Sequence, residues 1–263
     1  MFNVTPIPAF NDNYIWALTV PGTDDIAVID PGDAEAVNDY LTQNNVNLTA
    51  ILITHHHDDH TGGVAQLCLQ HSADVYGPAN SPFKGINHTL TDGDQIELLG
   101  QQLIIHEVPG HTLDHISYFV AESSNTPPNI PQVFSGDTLF LAGCGRLFEG
   151  SAEQMHTAME YFKSLPDNTQ IYCTHEYSLA NLAFAAAVEP DNAEISTAIK
   201  RCTQLRDAHQ PTLPSTIAIE KQINPFLRYH TATVKHAAEQ VSGAPLNSEV
   251  AIFSAIRDWK NQF

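Results

Sequence analysis

Nine short runs rich in Val, Ile and aromatic residues occupy the first two thirds of the chain: "NYIWALTV", "DIAVIDPG", "AILIT", "DVYGP", "QIELLG", "QQLIIHEVPG", "HISYFVA", "QVFSGDTLF" and "QIYCTHEY". Punctuated by Gly, Pro and Asp, they read as strands with turns between them. Helical periodicity falls between strands, at residues 33 to 44, 61 to 71 and 152 to 164. Sheets covered by helices, an αββα layering, are the natural way to bury such elements. From about residue 178 the character changes: "LANLAFAAAVEPDNAEISTAIKRCTQLRDAH" and "TATVKHAAEQ" are helical in composition, and strand signals vanish. The expected fold is therefore α/β, an αββα sandwich over residues 1–173 followed by a smaller helical domain over residues 174–263. "SSNTPPNIPQ" (123 to 132) reads as an exposed Pro-rich loop, because strand patterns continue on both sides.

The formal net charge of −19 opposes nonspecific attraction to nucleic acid or anionic lipid. Of the eleven Lys and Arg residues only Lys84 precedes Arg146, so an anionic substrate must be attracted by bound metal or by the C-terminal half. The N-terminus has no basic segment followed by an apolar run, and no stretch has the ~18 apolar residues of a membrane span. A soluble cytoplasmic protein is expected, and a monomer. Cys68, Cys144, Cys173 and Cys202 lie far apart with no CxxC pair, which suggests neither a disulfide framework nor a thiolate zinc site.

"ILITHHHDDHTGG" (51 to 63) places four His and two Asp on six consecutive positions directly after a buried-strand pattern. His55 and His57, two apart in a turning loop, can point to one side. Asp59 and His60 follow where a helix begins. Imidazoles and carboxylates without sulfur suit zinc, iron or manganese. Backbone geometry separates the first pair from the second, so two adjacent ions serve the loop better than one. A His-rich surface loop or tag would leave Asp59 and His60 unexplained. His111 in "VPGHT", Asp137 in "FSGDTLF" and His175 in "YCTHEY" each follow an apolar strand, where layered folds put their sites. Together the candidates are five His and two Asp, a set sufficient for two neighbouring ions.

"THHHDDH" resembles the THxHxDH signature of the metallo-β-lactamase superfamily, and "PGHT", "SGDTLF" and "CTHEY" arrive in that superfamily's order. The helical segment, with "EPDNAEI", "PTLPST", "NPFLR" and the closing "IRDWKNQF", is similar to the glyoxalase II (hydroxyacylglutathione hydrolase) family. This resemblance spans essentially the whole chain. It implies that His55, His57 and His111 bind a first metal, that Asp59, His60 and His175 bind a second, and that Asp137 bridges them. A bridging water or hydroxide would complete the centre, with Asp59 and Asp137 beside it as catalytic carboxylates. Zinc is the expected metal, with iron or manganese as alternatives. Asp30, ending "AVIDPG", matches an early Asp that supports the His loop from behind. His56 and Asp58 fall at variable positions, and His115 is expected to be structural or supporting.

The reaction implied is hydrolysis of S-D-lactoylglutathione to D-lactate and glutathione, the second step of methylglyoxal detoxification. A metal-activated water would need no Ser or Cys nucleophile, and no GxSxG elbow occurs. Arg257 and Lys260, three apart in "IRDWK", match the family pair that grips the glycine carboxylate of glutathione. Arg146 and Tyr177 match further glutathione contacts. Arg146 stands where Lys is frequent, and Phe148 where Tyr is frequent, with loss of a hydroxyl. Cys144 is expected to be structural. A mononuclear-iron persulfide dioxygenase of the same fold and a non-enzymatic metal-binding module are the competing readings. The full ligand set opposes the first, and the substrate cations oppose the second.

Overall fold

The computed structural model describes residues 1–121 and 130–263; residues 123–129 of the expected Pro-rich loop lie outside the described residues. The chain forms two compact units, one of residues 1–107 and 114–136, the other of residues 108–113 and 137–263. The expected division at 173/174 falls inside the second of these units.

The first unit runs β1 (Asn3–Ala9), β2 (Asn13–Thr19), β3 (Asp25–Ile29), α1 (Ala34–Asn44), β4 (Asn47–Leu52), α2 (Asp58–Thr61), α3 (Val64–Gln70), β5 (Asp74–Pro78), β6 (His88–Leu90), β7 (Gln95–Leu98), β8 (Gln101–Glu107), β9 (Ile116–Val120) and β10 (Gln132–Gly136). Strands β1 to β6 lie side by side in chain order. Pairing is antiparallel from β1 to β3 and parallel from β3 to β6. The change of sense follows from the connections: α1 crosses from β3 to β4, and α2 with α3 from β4 to β5, lengths that a parallel pair requires. Val37 and Leu41 of α1 and Val64 and Leu67 of α3 are buried in one apolar cluster with Ile26, Val28 and Ile51 of the sheet. Strands β7 to β10 form an antiparallel run. This run meets the first sheet through the Tyr118 hydroxyl, which donates to Ile53 O at 2.7 Å, and the Ile116 amide, which donates to Thr54 O at 2.9 Å. Helix, sheet and sheet are thus layered as the strand patterns predict.

Three differences from expectation have local causes. β1 carries Pro6 and Pro8, which argue against a strand in the sequence. It is an edge strand paired only with β2, so the missing N–H groups fall on its open side. "QVFSGDTLF" is not one strand: β10 stops at Gly136 and a two-residue strand begins at Leu139, so that Asp137 stands in the break. The predicted helix over 61–71 is two, since α2 ends before the Gly62–Gly63 pair and α3 begins at Val64.

The second unit contains β11 (Leu139–Phe140), β12 (Gly143–Cys144), α4 (Ala152–Ser164), β13 (Gln170–Cys173), α5 (Ser178–Val188), α6 (Ala193–Asp207), β14 (Ser215–Thr216), α7 (Ile217–Ile223), α8 (Ala232–Ser242) and α9 (Glu249–Gln262). Helix starts follow the capping chemistry. A Ser151/Gln154 capping box opens α4, and Asn192, Thr231 and Ser248 cap α6, α8 and α9. Strand structure does continue past residue 178, contrary to expectation. β14 is only two residues long and pairs antiparallel with β13, too short to leave a periodic signal. Among the described residues no helix is long and apolar enough to cross a membrane.

Candidate metal centre

In the first unit the chain leaves β4, turns through Thr54–His57 and enters α2 at Asp58. The turn brings His55 Nε2 to 3.0 Å from His57 Nδ1, and the helical step brings His60 Nε2 to 3.5 Å from Asp59 Oδ2. The loop therefore gathers all four candidate donors, and the His55 ring lies as near to His60, centroids 4.1 Å apart, as to His57, at 4.6 Å. Gly32 makes room for it: a Cβ there would lie 2.0 Å from the Asp59 carbonyl oxygen.

Asp30 organises both pairs from behind. Its Oδ1 accepts from the Thr54 amide at 2.7 Å, and its Oδ2 accepts from Thr54 Oγ1 at 2.7 Å and from His60 Nδ1 at 2.9 Å. Because the Thr54 hydroxyl gives its one proton to Asp30, its 3.1 Å contact with His55 Nδ1 is one in which the imidazole donates. Both rings thus hold their proton on Nδ1 and keep a lone pair on Nε2 as the atom that could bind a metal. Asn13 Nδ2 donates to Asp59 Oδ2 at 3.1 Å. His115 stacks on His55 with ring centroids 4.6 Å apart. His56 pairs with Asp114 at 2.9 Å.

In the second unit Asp137 lies between two imidazoles. Its Oδ2 is 3.5 Å from His111 Nε2 and 3.3 Å from His175 Nε2, so a single carboxylate oxygen faces both rings. His111 Nδ1 donates to the Arg146 carbonyl at 2.9 Å, which again leaves Nε2 as the acceptor. The Tyr177 ring lies flat on His175, centroids 4.6 Å apart and planes within 1°. Phe148 meets His111 edge-on at 5.2 Å and is 60% exposed.

Two of the three predicted substrate cations, Arg257 and Lys260, lie on α9. Arg257 is buried, and its Nη1 donates to the carbonyls of Cys144 at 2.8 Å and Gly145 at 3.4 Å. Lys260 Nζ donates to Asn181 Oδ1, and burial, with Arg257 beside it, brings its pKa down to about 8. Asn261 accepts from Arg146 Nε at 3.4 Å and from Arg257 Nη2 at 3.2 Å, linking two of the expected glutathione contacts. Burial pushes the Cys144 thiol pKa up in spite of the neighbouring cations, so a thiolate nucleophile is disfavoured.

The residues fit a pair of divalent ions. All seven expected ligands belong to groups of His and Asp side chains able to hold a metal. The donors are imidazole nitrogen and carboxylate oxygen, which suit zinc, iron or manganese. Sequence reasoning missed Thr54, Asn13 and the Arg146 carbonyl. Thr54 could have been found from its place beside His55. Asn13 and a backbone carbonyl leave no local pattern.

Residues 11–175 match the metallo-beta-lactamase superfamily model, and residues 176–263 match the model described as hydroxyacylglutathione hydrolase C-terminus. The chain is 47% identical over 264 residues to the hydroxyacylglutathione hydrolase of Pseudomonas savastanoi pv. phaseolicola, covering 100% of both chains. Identity to the protein of that name from Pseudomonas aeruginosa (strain PAO1) is also 47% over 264 residues, again with 100% of each covered. Among solved structures it is similar to ETHE1 from Myxococcus xanthus, with a TM-score of 0.66 over 98% of this chain and 91% of that one. At 22% identity this last likeness concerns the fold alone. With both parts matched end to end, and by relatives nearly half identical along their whole length, the chain belongs to the hydroxyacylglutathione hydrolase family of the metallo-β-lactamase superfamily.

Proposed function

We propose that this chain hydrolyses S-2-hydroxyacylglutathione thioesters, S-D-lactoylglutathione foremost, to the hydroxy acid and glutathione. The reading is carried by Asp137, whose single oxygen faces His111 and His175, a shared-ligand geometry in a chain of this family. We assign His55, His57 and His111 to one ion, Asp59, His60 and His175 to the other, and Asp137 to both. Two divalent ions so held, zinc by preference, would supply water acidic enough to act as a nucleophile at neutral pH and positive charge for the oxyanion that develops on the thioester carbonyl.

The chain's own residues supply orientation and grip. Asp30, Thr54 and the Arg146 carbonyl keep the protons of His60, His55 and His111 on Nδ1. Arg257 and Lys260 bind the glycine carboxylate, and Arg146 and Tyr177 contact the rest of glutathione. In this reading residues 174–263 are the substrate-binding domain. A thiolate is a modest base, so its departure needs no dedicated general acid.

The test is turnover of purified, metal-loaded protein on S-D-lactoylglutathione, a cephalosporin and an activated phosphodiester. Selective thioester hydrolysis is expected. A comparable rate on the β-lactam would refute the assignment.

A further inference from the structure

The β11–β12 hairpin is held along its length by buried side chains from the helical part of the same unit. Its tip, Ala142, adopts φ 53, a left-handed conformation uncommon for a residue with a Cβ. Glu220 Oε2 accepts from the Ala142 amide at 2.7 Å and from Asn224 Nδ2 at 3.0 Å, and its Oε1 accepts from Ser215 Oγ at 2.5 Å. Asn224 Nδ2 also donates to the carbonyls of Phe140 at 3.2 Å and Gly143 at 3.0 Å. Asn181 Nδ2 donates to Leu141 O at 3.0 Å, while its Oδ1 accepts from Lys260. Arg257 takes the carbonyls of Cys144 and Gly145.

Two features set this apart from an ordinary hairpin anchor. Glu220 is fully buried, an expensive place for an acid, and burial lifts its pKa to about 7. Both cations of α9 take their positions from the backbone it holds, Arg257 directly and Lys260 through Asn181. We propose that Glu220 is a positioning residue for the carboxylate subsite of the substrate: by fixing Ala142 and orienting Asn224 it sets the hairpin against which Arg257 and Lys260 are aimed. The inference rests on the function proposed above. It predicts that Glu220, which touches neither substrate nor metal ligand, controls affinity for the glycine end of glutathione and not the chemical step.

The experiment compares Glu220→Met, which fills the volume without an acceptor, with Glu220→Gln, which keeps an acceptor for Ala142 while its amide donates to Ser215. Calorimetry measures binding of S-methylglutathione and of S-methyl-γ-glutamylcysteine, which lacks the glycine, to the full chain; steady-state kinetics on lactoylglutathione run in parallel. Glu220→Met removes all three hydrogen bonds that the carboxylate accepts, of which the one from Ala142 reaches the hairpin directly; loss of that one predicts S-methylglutathione bound about tenfold more weakly, and the dipeptide by less than about twofold. Glu220→Gln should bind both nearly as the wild type does. KM should rise with the binding loss, and kcat should change little. Should the Met variant not fold, Glu220→Asp, which draws the carboxylate back from Ala142 by one methylene, carries the same comparison. Equal weakening of both ligands, or no weakening of either in a folded variant, overturns the inference. A wild-type chain that neither binds S-methylglutathione nor hydrolyses the thioester overturns the functional reading instead, and this one with it.

Discussion

The Asp30 carboxylate lies 2.9 Å from His60 Nδ1, a contact between residues thirty positions apart that decides which nitrogen of the imidazole is left for metal. Asp30 itself sits at φ 53, which asparagine also tolerates, so Asp30→Asn removes charge without breaking the turn. Loss of such an outer partner costs about 10- to 100-fold in metal affinity. Competition against a chromophoric chelator measures it, and unchanged affinity would separate Asp30 from metal binding.

Asp137→Ala should abolish turnover and lower the metal content from two ions per chain, because it deletes the oxygen that faces both His111 and His175. Elemental analysis of protein purified with and without added zinc gives the stoichiometry. Full activity with one ion per chain would end the dinuclear reading.

Lys260 makes the substrate grip pH-dependent. Its pKa is lowered from 10.5 to about 8, so the ammonium is present below about pH 8 and lost above it. Values of kcat/KM report groups of the free enzyme, and should fall above about pH 8 in the wild type. Arginine stays charged throughout this range, so Lys260→Arg should abolish that fall. For stability the sign is opposite: between about pH 8 and 10.5 the unfolded chain holds more protons at this position, so the contribution of Lys260 to stability rises with pH. A kcat/KM profile that does not change in Lys260→Arg would exclude the residue from the grip.

Arg257 carries a double role, since the guanidinium expected to bind substrate also closes the carbonyls of Cys144 and Gly145. A charge-assisted hydrogen bond contributes about 1.5 to 3 kcal/mol, so Arg257→Ala should raise KM by roughly 10- to 150-fold with kcat nearly intact. Exposing those carbonyls to an unfilled cavity should also lower Tm, by roughly 4 to 10 °C. Lys260→Ala should raise KM with a much smaller loss of Tm. Equal Tm changes in the two variants would contradict the hairpin's dependence on Arg257.

The candidate donors were legible in the sequence because the grouping of side chains by a loop is a local affair. His55 with His57 and Asp59 with His60 meet through spacing alone, and Asp137 and His175 are found where strand patterns stop. The layered α/β class followed from the same patterns, since a run of alternating or continuous apolar residues reports which of its faces must be covered. β1 and β14 escaped notice because prolines on an edge strand and a two-residue strand carry no such signal.

By itself, then, the sequence determined the donor chemistry, the element types and the family. Tertiary structure alone decided how the donors are held: Asp30 reaching His60, a hydroxyl passing that order on to His55, a backbone carbonyl of Arg146 fixing His111, and Glu220 clamping a hairpin 78 residues earlier. The reason is physical. Periodicity encodes the direction in which a side chain leaves its own backbone, whereas a hydrogen-bond partner distant in sequence is chosen by which surfaces pack, and many sequences share one packing.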